Sequence, residues 1–249
     1  MELHSKDLLG LVCVILLLPA ALCTTSQGYF TSSRATYYGA PYDYGTSSGA
    51  CGYGDYGRKV NDGKVTAVSS KLWRNGAGCG ACYQVKCKMA QYCDVDGVIV
   101  MATDNGEGDR TDFIMSGRGF SELGRDQDTS AKLFKYGTVD VQYKRVPCKY
   151  ASNIIVKIKE QSSNPYYLAI VLLNVGGDKD VTAIDLWQKD SKAWMPMRRV
   201  YGAVFDFSNP PSGQIKLRFN VNGNMELAKS PIPSNWKPGA SYDTKIQFY

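Results

Sequence analysis

The sequence predicts an all-β fold in two domains, and three observations support this prediction. The 249 residues fit one large β domain or two ordinary ones. The chain is rich in Gly (25) and Tyr (17), a composition typical of β-proteins with many tight turns. All cysteines that follow residue 23 lie between residues 51 and 148. We therefore predict a cross-linked first domain, residues 28–148, and a second domain, residues 151–249, without disulfides.

The N-terminus has the features of a signal peptide. Residues 8–21 form an apolar run that is too short to span a bilayer core of about 30 Å as a helix. Ala21 and Cys23 are the small residues that a cleavage site after Cys23 requires. The alternative is a signal anchor that stays in the membrane, but a polar stretch follows at once. We expect cleavage, secretion and no membrane attachment of the mature chain.

The charge of the mature chain favours an anionic extracellular polymer over nucleic acid as a partner. Removal of residues 1–23 leaves 28 basic and 21 acidic residues, a net charge of +7. Because the signal peptide directs the chain out of the cell, a pectin-rich wall matches this charge better than nucleic acid. Solubility alone is the alternative explanation for the same charge.

The predicted cleavage also removes His4, the only histidine of the chain. A Ser-His-Asp triad, a Cys-His dyad and a His-liganded zinc site all need an imidazole. Catalysis in the mature chain would therefore depend on carboxylates, Tyr, Lys or Cys.

The remaining cysteines predict a disulfide framework rather than a metal site. They are Cys51, Cys79, Cys82, Cys87, Cys93 and Cys148. Six cysteines in an oxidising compartment indicate three disulfides, and spacing alone leaves 15 pairings open. Cys79 and Cys82 have C-x-x-C spacing, but no second such pair follows at zinc-ribbon distance. We expect no metal and no cofactor.

The elements of the two domains differ in regularity. In the first domain, residues 98–103 and 138–146 are predicted strands, and residues 131–134 form at most part of a short helix; Gly-rich loops between them favour a small β-barrel. The second domain alternates short strands with turns, as in an antiparallel β-sandwich. Its predicted strands cover residues 154–158, 166–175, 181–187, 197–207, 214–221, 225–228 and 244–248.

Several long motifs then resemble plant expansins in the order in which that family has them. Residues 35–39 (ATYYG), 49–54 (GACGYG), 78–87 (GCGACYQVKC) and 141–148 (VQYKRVPC) resemble first-domain motifs, the last two those of β-expansins. Residues 164–169 (NPYYLA) and 194–198 (WMPMR) resemble second-domain signatures. The resemblance covers essentially the whole mature chain.

This resemblance implies a fold and an activity. The fold would be a six-stranded double-psi β-barrel, like that of family-45 glycosidases, followed by an immunoglobulin-like β-sandwich that binds carbohydrate. The implied disulfides are Cys51–Cys79, Cys82–Cys148 and Cys87–Cys93. The implied activity is non-hydrolytic loosening of plant cell walls by a monomer whose partners are cellulose and matrix glycans.

The chain departs from the family at its acidic motif. Most expansins have His-Phe-Asp where this sequence has Asp112, Phe113 and Ile114. The Asp-Phe-Ile pattern resembles the expansin-like group, and its B subgroup most of all.

The resemblance also marks candidate glycan-binding residues. In the barrel, Thr36, Tyr38 and Asp104 match groove positions of the family. In the sandwich, Tyr167 matches an aromatic residue of the binding face, and Tyr201 stands where the family usually has Trp.

Strand alternation supports the orientation of one of these tyrosines. Leu168, Ile170 and Leu172 share one apolar face, so Tyr167 should point to the other side of its strand. Tyr201 shares a predicted face with Phe205, which leaves its orientation ambiguous.

The sequence leaves open the roles of three further residues in the second domain. Asp206 replaces the arginine that β-expansins place after the Tyr201 strand. Of Trp187 and Trp194, at least one is expected in the core.

Three functional hypotheses follow from the sequence. The first is a wall-loosening protein that binds glycans without cleaving them. The second is a weak glycosidase that uses Asp104 and Asp112 as a vestigial catalytic pair. The alternative for both residues is stabilisation of a turn, which we favour for Asp112, whereas for Asp104 we favour a glycan-contacting role. The third is a wall-binding protein without loosening activity, because Ile114 replaces the family aspartate.

Overall fold

The computed structural model of the chain describes residues 29–189 and 191–249. The predicted signal peptide, residues 1–23, lies outside the described residues. The described chain consists of a closed six-stranded barrel followed by a two-sheet sandwich, which confirms the predicted fold class. In this part of the chain, no helix is long and apolar enough to cross a membrane.

The barrel mixes parallel and antiparallel strand pairs. Its strands are β1 (Thr31–Tyr38), β2 (Val65–Val68), β3 (Cys82–Cys87), β4 (Val98–Asn105), β5 (Phe113–Ser116) and β6 (Val139–Val146). They close in the order β1-β5-β2-β4-β3-β6, with β1–β5 and β2–β4 parallel. Tyr83, Phe113 and Tyr143 pack edge to face inside, with ring centroids 4.8–5.9 Å apart.

Short helices connect the barrel strands. They are α1 (Asp55–Lys59), α2 (Ser70–Trp73), α3 (Gly117–Ser121) and α4 (Gln127–Tyr136). The last helix is longer than the single turn predicted at residues 131–134. A capping box explains the extension, because the Asp126 side chain accepts from the Thr129 amide and the Thr129 hydroxyl accepts from the Asp126 amide.

Three disulfides cross-link the barrel domain. They join Cys51 to Cys79, Cys82 to Cys148, and Cys87 to Cys93. These are the pairs that the family resemblance implies.

The sandwich has more strands than the sequence predicts. They are β7 (Ile155–Ile158), β8 (Tyr167–Leu173), β9 (Val181–Gln188), β10 (Ala193–Pro196), β11 (Arg198–Tyr201), β12 (Val204–Ser208), β13 (Leu217–Val221), β14 (Asn224–Leu227) and β15 (Ser241–Asp243). One sheet has the order β10-β9-β13-β14 and the other β11-β12-β8-β7-β15.

Two of the predicted strands were wrong in detail. Residues 197–207 are not one strand but the hairpin β11–β12, which turns at Gly202 and Ala203. Residues 244–248 are not a strand, since the positive φ of 60° at Lys245 interrupts the extended backbone; β15 lies just before them.

The barrel and the sandwich share a buried apolar interface. Leu168, Ile170 and Leu172 of β8 face the sandwich core, whereas the intervening Ala169 and Val171 pack against the barrel. The barrel side of this interface consists of Cys51, Tyr53, Val60, Val65, Cys82, Met101 and Cys148. Both faces of β8 are therefore buried over most of its length, as its continuous apolar sequence indicates.

Polar contacts accompany this interface. Lys159, which is buried, donates to the Gly52 carbonyl at 2.8 Å. Asp180 of the sandwich domain accepts from both Arg74 and Arg145 of the barrel domain. The relative position of the two domains is therefore held by apolar packing, by a buried amine and by ion pairs.

Candidate functional site

A row of side chains crosses four neighbouring strands on the outer face of the barrel. Asp104 (β4) pairs with Ala67 (β2), which pairs with Ile114 (β5), which pairs with Thr36 (β1). We call these four residues the groove row. Because partners in register share a face and strands lie about 4.8 Å apart, Asp104 and Ile114 are separated by roughly 10 Å.

A register shift in β4 directs Asp104 to this face. Ala102 pairs with Thr66 and Asp104 with Ala67, so Thr103 has no counterpart in β2. Ala102 points into the barrel core, and without the extra residue Asp104 would point the same way. The bulge thus turns the carboxylate outward into the groove row.

The Asp104 carboxylate is held by backbone amides. Its Oδ1 accepts from the amides of Ala50 at 2.7 Å and Asn105 at 2.8 Å. This arrangement fixes the carboxylate, and no group in the described part of the chain donates to its Oδ2.

Tyr38 lies two residues beyond Thr36 on the same strand and the same face. Burial, and secondarily the negative charge of Asp104, raises the pKa of the Tyr38 phenol to about 12. The phenol is therefore neutral at any physiological pH, and its hydroxyl oxygen is buried, with no hydrogen-bond partner among the described residues. Thr36 donates its hydroxyl to the Gly137 carbonyl at 2.8 Å, so it can offer a ligand only its lone pairs.

Asp112 lies outside the groove row. Its two carboxylate oxygens accept from the hydroxyls of Ser33 at 2.8 Å and Ser69 at 2.6 Å. It shares a face with Ile114 but sits about 6.6 Å further along the strand. These contacts connect β1 and the residue that follows β2 to the residue that precedes β5.

The sandwich presents a second group of polar and aromatic side chains on the outer face of β8, β12 and β11. Tyr167 points away from the sandwich core, as the alternation of β8 predicts, and donates its hydroxyl to Asp206 at 2.9 Å. Asp206 also accepts two bonds from Arg198, at 3.0 and 2.7 Å. The hydrogen bonds and charge of Arg198, together with the Tyr167 bond, lower the pKa of Asp206.

Tyr201 shares this outer face because of a bulge in β11. Arg199 pairs with Phe205, but Tyr201 pairs with Val204, so one residue of β11 is unpaired. Phe205 faces the sandwich core and Val204 the barrel, which places Tyr201 on the barrel side. It is 44% exposed. We call Tyr167 and Tyr201 together the tyrosine face.

The loop of residues 49–52 joins the groove row to the tyrosine face. Gly49 lies against Asp104, where an added Cβ would be 3.5 Å from the Asp104 Cβ. Gly52 lies against Tyr201, where a Cβ would be 2.8 Å from the ring. The glycines allow this close approach, so that one backbone segment of four residues links both candidate sites.

Both tryptophans that the sequence left open lie on the opposite sheet. Trp187 and Trp194 are cross-strand partners on its outer face, half-buried, with ring centroids 5.4 Å apart. The guanidinium of Arg218 lies 4.7 Å from the Trp194 ring centre. The expectation of a core tryptophan among these two was therefore wrong. Trp187 directly follows the inward-facing Leu186 in β9, so its side chain points outward.

Arg198 was not among the residues selected from the sequence. A signal was present, because Arg198 and Asp206 are placed symmetrically about Gly202, as cross-strand partners of a hairpin are. The prediction of a single strand over residues 197–207 concealed this pairing.

Comparison with known families identifies both domains. Residues 154–233 match the model of the expansin C-terminal domain. Residues 65–143 match the family model described as lytic transglycolase.

Curated relatives match nearly the full length. Expansin-like B1 of Arabidopsis thaliana is 48% identical over 98% of this chain and 98% of its own length. Expansin-like B1 of Oryza sativa subsp. japonica is 37% identical over 99% of this chain and 98% of its own.

Solved structures share the fold. An apo expansin of Clavibacter michiganensis matches with a TM-score of 0.69 and 22% identity over 89% of this chain and 98% of that chain. A mutant of that expansin, solved in complex with cellohexaose, matches with a TM-score of 0.68. The family models and the full-length relatives agree with the motifs of the sequence: the chain belongs to the plant expansin superfamily and, within it, to the expansin-like group.

Proposed function

We propose that this chain is a secreted wall protein that binds a β-linked glycan along the groove row and the tyrosine face without cleaving it. The observation that carries the proposal is the continuity of the two sites through residues 49–52. A bound glycan that follows this path meets the Asp104 carboxylate and two tyrosine rings. Hydrogen bonding to sugar hydroxyls and stacking on sugar faces are the interactions that such groups supply.

Family and fold comparisons support glycan binding. The bacterial expansin that shares the fold was solved with cellohexaose. We transfer this ligand class, a β-linked glucan, to the present chain, with cellulose and matrix glycans as the wall polymers concerned.

The carboxylates of the groove support the part of the proposal that excludes cleavage. Glycosidases need two carboxyl groups, about 6.5–9.5 Å apart in inverting enzymes and about 5–5.5 Å apart in retaining ones. Ile114 occupies the place in the groove row that would suit a partner of Asp104. Asp112 is displaced along β5, so strand geometry puts its Cα roughly 12 Å from that of Asp104. Both of its oxygens already accept serine hydroxyls.

Wall loosening is the finer part of the proposal. Heat-inactivated plant cell walls held under constant load, with purified protein added at acidic and neutral pH, test it directly. We expect the walls to extend without release of new reducing ends. Extension with release of reducing ends would support the glycosidase hypothesis instead.

A wall-binding protein without loosening activity is distinguished by the same assay. Protein that sediments with the walls, retains its folded circular dichroism spectrum and produces no extension would contradict the loosening part while leaving glycan binding in place.

A further inference from the structure

The tyrosine face has an exposed positive group at its centre, although the sequence places an aspartate there. Arg198 is paired with Asp206, which pairs with Ala169 of β8. The neighbouring row contains Tyr201, Val204 and Val171. Successive rows on one face of a sheet lie about 6.6 Å apart. The Arg198–Asp206 row therefore lies between the row of Tyr201 and the row of Tyr167, about 6.6 Å from each.

This position puts the ion pair on the path between the two tyrosines. Tyr201 is on β11 at one end of the face and Tyr167 is on β8 at the other. A glycan that stacks on both rings must pass over the Arg198–Asp206 row.

The two members of the pair are exposed very differently. The Arg198 side chain is 74% exposed and the Asp206 side chain 4%. The carboxylate lies beneath the guanidinium, accepts from it at both oxygens and accepts from Tyr167 as well. Two N–H groups of the guanidinium are thus used within the described part of the chain, and its remaining donors belong to an exposed side chain that a ligand can contact.

The electrostatic consequence concerns the glycan that this face selects. A lone arginine would attract uronate carboxylates, but here a carboxylate at hydrogen-bond distance compensates the charge. What remains toward solvent is a set of oriented hydrogen-bond donors with little net charge. Such donors suit the hydroxyl groups of neutral sugars.

We propose that Arg198 is a glycan-contacting residue and that Asp206 positions it and cancels its charge, so that the tyrosine face prefers neutral glycans to uronic-acid glycans. The inference rests on the proposed glycan binding by this face. It assigns Asp206 the role of a specificity-determining residue.

The test measures binding of two probes, cellohexaose and a hexamer of galacturonic acid, at low and high NaCl by isothermal titration calorimetry. The Asp206→Asn variant leaves Arg198 uncompensated while an amide oxygen still accepts from Tyr167. We expect its affinity for the acidic hexamer at low salt to rise about threefold to tenfold, and the gain to vanish at high salt because exposed charges are screened. The Arg198→Ala/Asp206→Asn double variant should show no gain.

The Arg198→Ala variant provides a second test of the proposal, which does not depend on the folding of Asp206→Asn. Because Arg198 is exposed, its removal leaves no cavity, and circular dichroism verifies that the variant is folded. It should bind cellohexaose about threefold to tenfold more weakly through the lost donors, and the acidic hexamer more weakly still because Asp206 is then unpaired. Unchanged binding of both probes would overturn the proposal, as would a gain in Asp206→Asn that persists in the double variant.

A separate control reports on the proposed function itself. Tyr167→Ala removes an aromatic ring of the face without altering its charge. If this variant and Tyr201→Ala bind cellohexaose as tightly as the unaltered protein, glycan binding by the face fails. If they lose affinity while Arg198→Ala does not, only the specificity inference fails.

Discussion

At the scale of single residues, the orientation of Tyr201 illustrates what a sequence pattern does and does not determine. Strict alternation gives Tyr201 the same face as Phe205, but one unpaired residue in β11 reverses the phase. The same happens to Asp104, which a bulge in β4 turns toward the groove row. Bulges cannot be derived from apolar periodicity, because they change it by one residue at a place that only the tertiary packing specifies.

Tyr167, by contrast, lies in an unbroken strand, and its orientation was predictable. Its ring is available to a glycan, while its hydroxyl is used by Asp206. We predict that Tyr167→Ala weakens binding of cellohexaose by about 1 kcal/mol, roughly fivefold, through the loss of a stacking surface. Tyr167→Phe keeps the ring and should retain most of the affinity. Equal losses in the two variants, measured by calorimetry, would assign the effect to the hydroxyl instead.

The Arg198–Asp206 pair has a definite pH dependence. Because Arg198 and Tyr167 lower the folded-state pKa of Asp206, its stabilising contribution is present above the unfolded pKa of about 3.9 and is lost as the pH falls through the lower folded value. We predict that Asp206→Asn reduces the free energy of unfolding by about 1–2 kcal/mol, equally at pH 7 and pH 5. Urea unfolding at several pH values measures this difference. A difference that disappears already between pH 7 and pH 5 would contradict the lowered pKa.

At the scale of secondary-structure elements, the sequence predicted strands better than it predicted hairpin turns and helix ends. Residues 98–103 and 138–146 were predicted as strands and are β4 and β6, because their β-branched runs have no competing signal. The hairpin at Gly202 was missed, since Gly followed by Ala is a weak turn signal within an apolar run. Helix α4 was underestimated because its polar first turn is stabilised by caps rather than by apolar periodicity.

The capping box of α4 is itself testable. Asp126 accepts from the Thr129 amide at 2.8 Å, and the C-terminal end of the helix leads to Gly137, the acceptor of the Thr36 hydroxyl. We predict that Asp126→Ala lowers the free energy of unfolding by about 1 kcal/mol. Asp128→Ala, an exposed change in the same first turn, is the matched control and should cost less than half as much. Equal effects in chemical denaturation would mean that helix charge, not the cap, is responsible.

At the scale of the whole molecule, the interface between barrel and sandwich is the feature that the sequence conceals most. The continuous apolar run of β8 indicates burial on both faces, but it does not say what covers the second face. The structure covers Ala169 and Val171 with the barrel, and in doing so brings residues 49–52 between the groove row and the tyrosine face. Motif order predicts the two domains; it contains no information on how they meet.

Gly52 is the point at which this interface can be tested. Its φ is +78°, and an added Cβ would lie 2.5 Å from Val204 Cγ2 and 2.8 Å from the Tyr201 ring. We predict that Gly52→Ala lowers the free energy of unfolding by about 2–4 kcal/mol and also weakens glycan binding, because Tyr201 must move.

Gly223→Ala is the matched control for this change. Its φ is +89°, but no atom lies within 4 Å of the added Cβ, so it reports the backbone cost alone. It should cost about 1 kcal/mol and leave binding unchanged. If both variants lose stability equally in thermal unfolding, packing between the domains does not contribute at Gly52.

Binding without cleavage is the central claim, and incubation of the purified protein with cellohexaose examines it most directly. Calorimetry would report the affinity, and chromatography of the same sample would report the length of the oligosaccharide. The account predicts saturable binding that weakens in Tyr167→Ala and in Asp104→Asn, with the hexaose recovered intact. Shorter oligosaccharides whose formation depends on Asp104, or an affinity that neither variant changes, would contradict it.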